Sequence, residues 1–244
     1  MDESPPNTAF PVTERNRVKR LNKRAGYDRD TVHAVLDAGM LCHVAYVIDG
    51  QPFCTPTLHW REGDRLYWHG SSASRMLRQL KLGAPVCLTV SHLDGLVLAR
   101  SGFNHSANYR SVMCFGTARI VDHVEEKAHA LKSVIERFYP GRSETLRPDQ
   151  AQEVKATMVI GMEIDEASVK IRDSQVGDDE ADLDLPIWAG VIPVRTVLGS
   201  PETGPLVPPG IDVPAHLSIY AENRRLDEVL TQAQQVYEST LPAG

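Results

Sequence analysis

The sequence predicts a mainly β protein of α+β type: an antiparallel barrel with helices at its periphery and a helical tail. Three observations lead there. From Met40 to Val124, short runs alternate apolar and polar residues and are broken by tight turns. The dipeptide Asp49-Gly50 separates two such runs, the pattern of a two-residue hairpin. Helical periodicity is confined to a few short segments between or after the strands.

In chain order, residues 1–14 read as a disordered lead-in, and residues 15–198 as the main body. Asp30–Gly39 reads as a helix capped by Asp28 or Asp30 and stopped by Gly39. Leu41–Val47 and Phe53–Trp60 are the hairpin strands. Asp64–His69 is a strand that hands over to a helix at 73–82. Val86–Ser91 is expected to pair with Leu96–Arg100 across an Asp94-Gly95 turn, and Val112–Asp122 closes the block. Lys127–Phe138 is a helix with Ala128, Leu131, Ile135 and Phe138 on one face, ended by Tyr139-Pro140-Gly141. Gln150–Lys155 is a short helix and Thr157–Ile171 one long strand. Pro201, Pro205, Pro208, Pro209 and Pro214 mark a linker over 199–215. The remainder, 216–244, is expected to be helical over Leu217–Leu241, with Leu226, Val229, Leu230, Ala233 and Val236 apolar.

A chain of 244 residues, 42% hydrophobic and 24% charged, is long enough for one sizeable core. The net charge of −6 argues against nucleic acid as the main partner. The basic run over 15–29 and the acidic run over 173–184 read either as solvated surface or as a docking arm and its complement. Cys42, Cys54, Cys87 and Cys114 form no C-x-x-C pair and read as buried free thiols in a reducing compartment. The first residues lack a signal peptide's apolar core, and no run of 18 apolar residues occurs, so a cytoplasmic protein without membrane segments is expected. Metal-protease, nucleophile-elbow and Walker patterns are missing, which leaves metal hydrolysis, acyl transfer and nucleotide hydrolysis without support.

The most informative stretch is 64–80. Its strand ends in Gly70-Ser71-Ser72-Ala73, and Ala73, Met76, Leu77 and Leu80 then take helical spacing. Small residues at a strand-to-helix junction expose backbone N–H groups, beside the hydroxyls of Ser71, Ser72 and Ser74 and the guanidinium of Arg75. That is a phosphate-binding chemistry. The same residues also suit an ordinary Ser-capped helix with nothing bound.

Three further segments keep company with this stretch: Cys54-Thr-Pro-Thr-Leu-His-Trp60, Asn108-Tyr-Arg-Ser-Val112 and Trp188-Ala-Gly190. In that order the set resembles the FMN-binding split-barrel flavoproteins related to pyridoxamine 5′-phosphate oxidase, over about Arg17 to Val194. The resemblance implies a Greek-key split barrel and an FMN cofactor. It assigns the phosphate to Ser71, Ser74, Arg75 and the adjoining Met76, with His69 and Gly70 at the end of the preceding strand. The backbone of Thr55, Pro56, Thr57, Leu58 and His59 would run under the flavin ring. Arg110, with Ser111 beside it, would approach the ring edge, and Trp188 would wall the cofactor from a second subunit. The implied unit is a homodimer with shared flavin sites.

The chain departs from that family in four places. Met76 stands where the oxidases carry a Lys, His59 where they carry a substrate-contacting Lys, and Arg110 where they carry a Gln. No Arg-Leu-His-Asp-Arg motif follows Trp188, so the grip on a pyridoxamine substrate is missing and that oxidase activity is not expected. Two function classes follow. One is an oxidoreductase passing electrons from a reduced nicotinamide or deazaflavin to a small organic acceptor, in the manner of nitroimidazole-resistance proteins. The other is a flavin or haem carrier without turnover.

Overall fold

A computed structural model describes residues 8–241. The chain enters along β1 (Ala25–Gly26) and turns into α1 (Arg29–Asp37), which Asp28 caps by accepting the Thr31 N–H at 2.8 Å. Within the expected 1–14 lead-in, residues 1–7 lie outside the described residues. The rest is anchored at Phe10, which is buried and whose N–H donates to the Tyr27 carbonyl. β2 (Leu41–Ile48) and β3 (Gln51–Leu58) form the hairpin, with Ile48 opposite Gln51. Asp49 and Gly50, at φ of 49° and 75°, adopt the left-handed pair that a two-residue turn requires.

β4 (Trp60–Glu62) and β5 (Arg65–Ser71) follow, then α2 (Arg75–Leu80), β6 (Ala84–Leu98) and β7 (Ser106–Ile120). Asp94-Gly95 is not a turn: it is an irregularity inside β6, which pairs with β7 from Ala84 to Val97. Gly95 has no positive φ to reverse the chain, and the continuous β7 ladder holds both halves of β6 in one strand. The reversal falls at residues 99–105 instead. α3 (Val124–Phe138) and α4 (Ala151–Ala156) lead into β8 (Thr157–Glu163) and β9 (Glu166–Arg172). The expected long strand is thus two. It breaks at Ile164-Asp165, where the Ile164 N–H turns to the Asp64 carbonyl and the Asp165 N–H to the Phe115 carbonyl. Gly116 makes room for that bend, since a Cβ there would stand 2.2 Å from the Glu163 carbonyl oxygen.

β10 (Gly190–Pro193) pairs with the last four residues of β6, Gly95–Leu98, and α5 (Leu226–Thr240) closes the described chain. The ten strands form one antiparallel sheet ordered β3-β2-β6-β7-β8-β5-β4, with β9 also on β7, the topology of a split barrel. Leu66, Trp68, Leu88, Cys114, Ile160 and Met162 fill its interior. Trp60, Tyr67, Val159, Phe138 and Leu230 form a second cluster beneath α3 and α5. β8 is therefore buried on both faces. The tail helix begins only at Leu226, after a 3₁₀ segment at Ala215–Tyr220, and its buried face is Val229, Leu230, Ala233 and Tyr237. Val236, expected in that face, is exposed because Tyr237 completes the helical stripe. Cys42 and Cys114 are buried, but Cys54 is exposed on β3 and Cys87 only half-buried, since both lie on the outward phase of their strands.

Candidate functional site

The barrel has a seam. β4 and β5 pair only from Glu62–Arg65 to Trp60–Tyr67. Beyond that point the His59 N–H donates to the Met40 carbonyl at 3.1 Å, so the chain follows β2 and leaves the second half of β5. One side of the wedge is the outer edge of β3, the terminal strand of the sheet. The other is the end of β5 and the turn into α2.

Peptide groups alternate sides along an antiparallel strand. The His59 N–H points to the β2 side, so those of Thr55 and Thr57 do too. Cys54 and Leu58 then present N–H groups to the seam, together with the carbonyls of Pro52, Cys54, Pro56 and Leu58. Pro52 and Pro56 share this phase, which suits residues that have no N–H to give a neighbouring strand. Thr55 and Thr57 therefore turn their amides to β2, and the seam's donors are those of Cys54 and Leu58.

On the opposite side, the Ser71–Ser74 turn already uses its own amides. The Ser72 N–H donates to the Ala156 carbonyl, that of Ala73 to Ser71 Oγ, and that of Ser74 to the Ser71 carbonyl. Ser74 caps α2 by accepting from Leu77 N–H, and the Arg78 N–H reaches the Ser74 carbonyl. Among the described residues, the amides of Arg75 and Met76 have no partner. Met76 thus offers only backbone, because its side chain is buried in the barrel interior. The Arg75 guanidinium is exposed, forms no ion pair among the described residues, and lies 4.4 Å above the Phe53 ring. Gly70 packs beneath α2, where a Cβ would stand 3.1 Å from Leu77.

Three histidines differ in placement. His59 is buried away from the seam, its Nε2 3.2 Å from the Leu36 carbonyl of α1, and burial pulls its pKa down to about 4. The ring of His69, near the end of β5, makes no hydrogen bond among the described residues, and its buried Nδ1 has no partner. It meets Trp60 edge-on at 5.7 Å, and burial lowers its pKa, favouring the neutral ring. His92 is held by the Val35 carbonyl.

The remaining expected residues lie elsewhere in the chain. Arg110 donates to Asp94 at 3.0 and 2.8 Å and to Asp227 of α5 at 3.0 Å, lining an open pocket of about 220 Å³ with Arg195 and Arg225. Phe53 lies opposite Tyr46, and the ladders carry that level across Val86 to Gly116. Arg110 is six residues further along β7, about 20 Å away along the strand. Ser111 is turned to the Lys170 carbonyl. Trp188, 64% exposed, precedes β10 at the far end of β6, and its ring lies beside Gly190, where a Cβ would stand 2.8 Å from it. One chain therefore brings residues 53–58 and 69–76 together, and Arg110 and Trp188 stand outside that group.

Phe53 and the amides of Cys54 and Leu58 escape a reading by side-chain type. The spacing of Pro52 and Pro56 carries the signal, since it fixes which amides of an edge strand face outward.

Comparison with known proteins agrees with the fold. A family model described as pyridoxamine 5′-phosphate oxidase matches residues 28–171, and the chain belongs to that family. Among solved structures, the flavocytochrome Anf3 from Azotobacter vinelandii is 45% identical, with a TM-score of 0.81 over 86% of this chain and 98% of that one. A FAD- and haem-binding protein from Mycobacterium smegmatis is 36% identical, with a TM-score of 0.79 over 83% of this chain and 98% of that one. No curated protein matches the sequence.

Proposed function

We propose that this protein binds a flavin nucleotide in the seam between β3 and the β5–α2 turn, and that it is an oxidoreductase. Its electrons would come from a reduced nicotinamide or deazaflavin and pass to a small organic acceptor. The observation that carries this reading is the pairing of two unsatisfied sets of groups across one wedge. Arg75, with the free amides of Arg75 and Met76, is a donor set suited to a phosphate. The outer edge of β3 offers donors and acceptors in alternation, as the pyrimidine edge of a flavin requires.

A bound flavin supplies reversible two-electron acceptance and return. The chain's own part is to fix the ring through the β3 backbone, hold the phosphate through Arg75, and keep His69 neutral beside the wedge. FMN is the smallest occupant with both recognised parts. FAD shares them, and the likeness to a FAD- and haem-binding protein supports it as the other candidate.

His69 favours a second reading, in which a haem is bound as well. A desolvated imidazole with an unpartnered nitrogen is a group that would hold a haem iron. Two relatives, described as a flavocytochrome and as a FAD- and haem-binding protein, support the same idea.

The separation of Arg110 and Trp188 from the seam supports a homodimer in which they cover the partner's flavin. Four free cysteines support a reducing, cytoplasmic setting, and no helix of the described residues is long and apolar enough to cross a membrane.

The absorbance spectrum of the purified protein tests the cofactor: flavin bands are expected, with a Soret band added if His69 holds haem. A colourless protein that takes up no added flavin refutes the proposal. Anaerobic mixing with NADH and NADPH separates an enzyme, whose flavin bleaches, from a carrier. Sedimentation across a dilution series, read at flavin absorbance, tests the shared site. Loss of flavin with loss of dimer is expected, and a monomer that keeps its flavin contradicts it.

A further inference from the structure

The seam holds an aromatic stack that none of the expected contacts uses. Tyr46 and Phe53 face each other across the β2–β3 hairpin, with ring centroids 5.6 Å apart and planes 14° from parallel. Tyr46 is fixed from below: it is buried, and its hydroxyl is 3.0 Å from Thr55 Oγ1. The Arg75 guanidinium lies over the Phe53 ring of this stack, its Cζ 4.4 Å from the centroid. Among the described residues no carboxylate pairs with Arg75, so the ring is the contact that defines where its charge sits.

We propose that Phe53, backed by Tyr46, is the positioning residue for the phosphate-binding arginine of the flavin site. The proposal rests on the flavin reading above and adds a component to it. A guanidinium lying on a ring is attracted through its face, and its N–H donors radiate in its own plane. Stacking therefore holds the charge without consuming the donors that a phosphate needs. A carboxylate in the same place would hold Arg75 equally well but would occupy those donors and neutralise the charge. An unsupported Arg75 would lose side-chain entropy on binding, whereas the stacked one has already been ordered. A lysine at position 75 has no planar fork to place in this way.

The test measures dissociation constants for FMN and riboflavin on the whole protein, stripped of bound flavin, in wild type, Phe53→Leu, Phe53→Tyr, Arg75→Ala and Phe53→Leu/Arg75→Ala. Leucine keeps an apolar filler and removes the ring; tyrosine keeps the ring. Phe53→Leu is expected to weaken FMN by about two- to five-fold, the size of an exposed cation–π contact, and to leave riboflavin unchanged. Phe53→Tyr restores FMN affinity. Adding Arg75→Ala costs less in the Phe53→Leu background than in wild type, because the two residues act as a unit.

Equal weakening of FMN and riboflavin by Phe53→Leu overturns the proposal, since that is the mark of a general packing defect. Additive effects of the two substitutions overturn it too. Both outcomes leave the flavin site standing. If wild type prefers FMN to riboflavin by no margin, the phosphate role of Arg75 fails, and Phe53 loses its role with it. If wild type binds neither compound, the flavin reading itself is wrong and the proposal falls with it.

Discussion

Two regions of the molecule treat their charges in opposite ways. Under α5, charged groups meet partners. Arg61 and Asp37 are both buried and paired, with Arg61 Nε donating to Asp37 at 2.8 Å, and Glu238 adds a contact at 2.9 Å. Arg137 donates to the carbonyls of Leu230 and Asp37 at 3.0 and 2.8 Å, and burial draws its pKa down to about 10, so it stays charged at neutral pH. The Tyr237 hydroxyl donates to Glu62, which also meets His129 at 2.9 Å. At the seam, Arg75 has no carboxylate, two amides have no partner and a strand edge is left open. A charge network satisfied from within the chain is a structural device that fastens α5 to α1, α3 and β4. A set of donors left unsatisfied around one wedge is prepared for something that is not protein.

Substitutions on the two sides should therefore separate stability from binding. The largest effect is expected from Arg61→Ala, which strands Asp37 in the interior. It should cost about 3–5 kcal/mol in chemical unfolding, the usual scale for breaking a buried pair. Folded protein should still bind flavin with unchanged affinity. A stability loss below about 1 kcal/mol would remove the network from its structural role.

His59 gives the next effect. Burial lowers its folded-state pKa to about 4, from 6.5 for a free imidazole, so the unfolded chain takes up a proton that the folded one refuses. The stabilising difference is complete above pH 6.5 and is lost as the pH falls towards 4. Across that window it amounts to about 3 kcal/mol. His59→Gln should flatten the pH dependence of the unfolding free energy by that amount. An unchanged slope would show that His59 is not held neutral.

On the other side, Arg75→Ala should weaken FMN by roughly ten- to a hundred-fold, about 1.5–3 kcal/mol, through loss of a charge-assisted contact. The unfolding midpoint of the flavin-free protein should move little, by no more than an exposed cation–π contact is worth. Riboflavin affinity should be the same in both proteins, and equal weakening of riboflavin would break the assignment. The smallest effect belongs to Tyr237→Phe, which removes one hydrogen bond to Glu62. A loss of about 1 kcal/mol in stability is expected, with no change in flavin affinity. A change in affinity here would show that the tail reaches the site.

The sequence carried much of this layout. The Asp49-Gly50 hairpin, the Asp28 cap and the strand-to-helix junction near Arg75 are local signals, and each depends on a few adjacent residues. What was not legible depended on distant partners. Asp94-Gly95 looks like a turn until β7 is known to run past it, and Thr157–Ile171 looks like one strand until Asp64 and Phe115 claim its amides. His59 and Arg110 followed the same rule. A polar side chain in a strand does not announce that α1 or Asp227 has taken it. The phase of the β3 edge was present in Pro52 and Pro56, but it became readable only once the His59 amide showed which side faces β2.

The central claim, that the seam is where the ligand binds, is tested most directly by backbone hydrogen exchange of the purified protein with and without saturating FMN. Slowed exchange is expected at Cys54, Leu58, Arg75 and Met76, the amides left free on the two sides of the wedge. The α5 amides from Val229 to Tyr237 should keep the same rates. Protection centred on the Arg110–Arg195–Arg225 pocket, with residues 54–58 and 75–76 unchanged, would contradict the account.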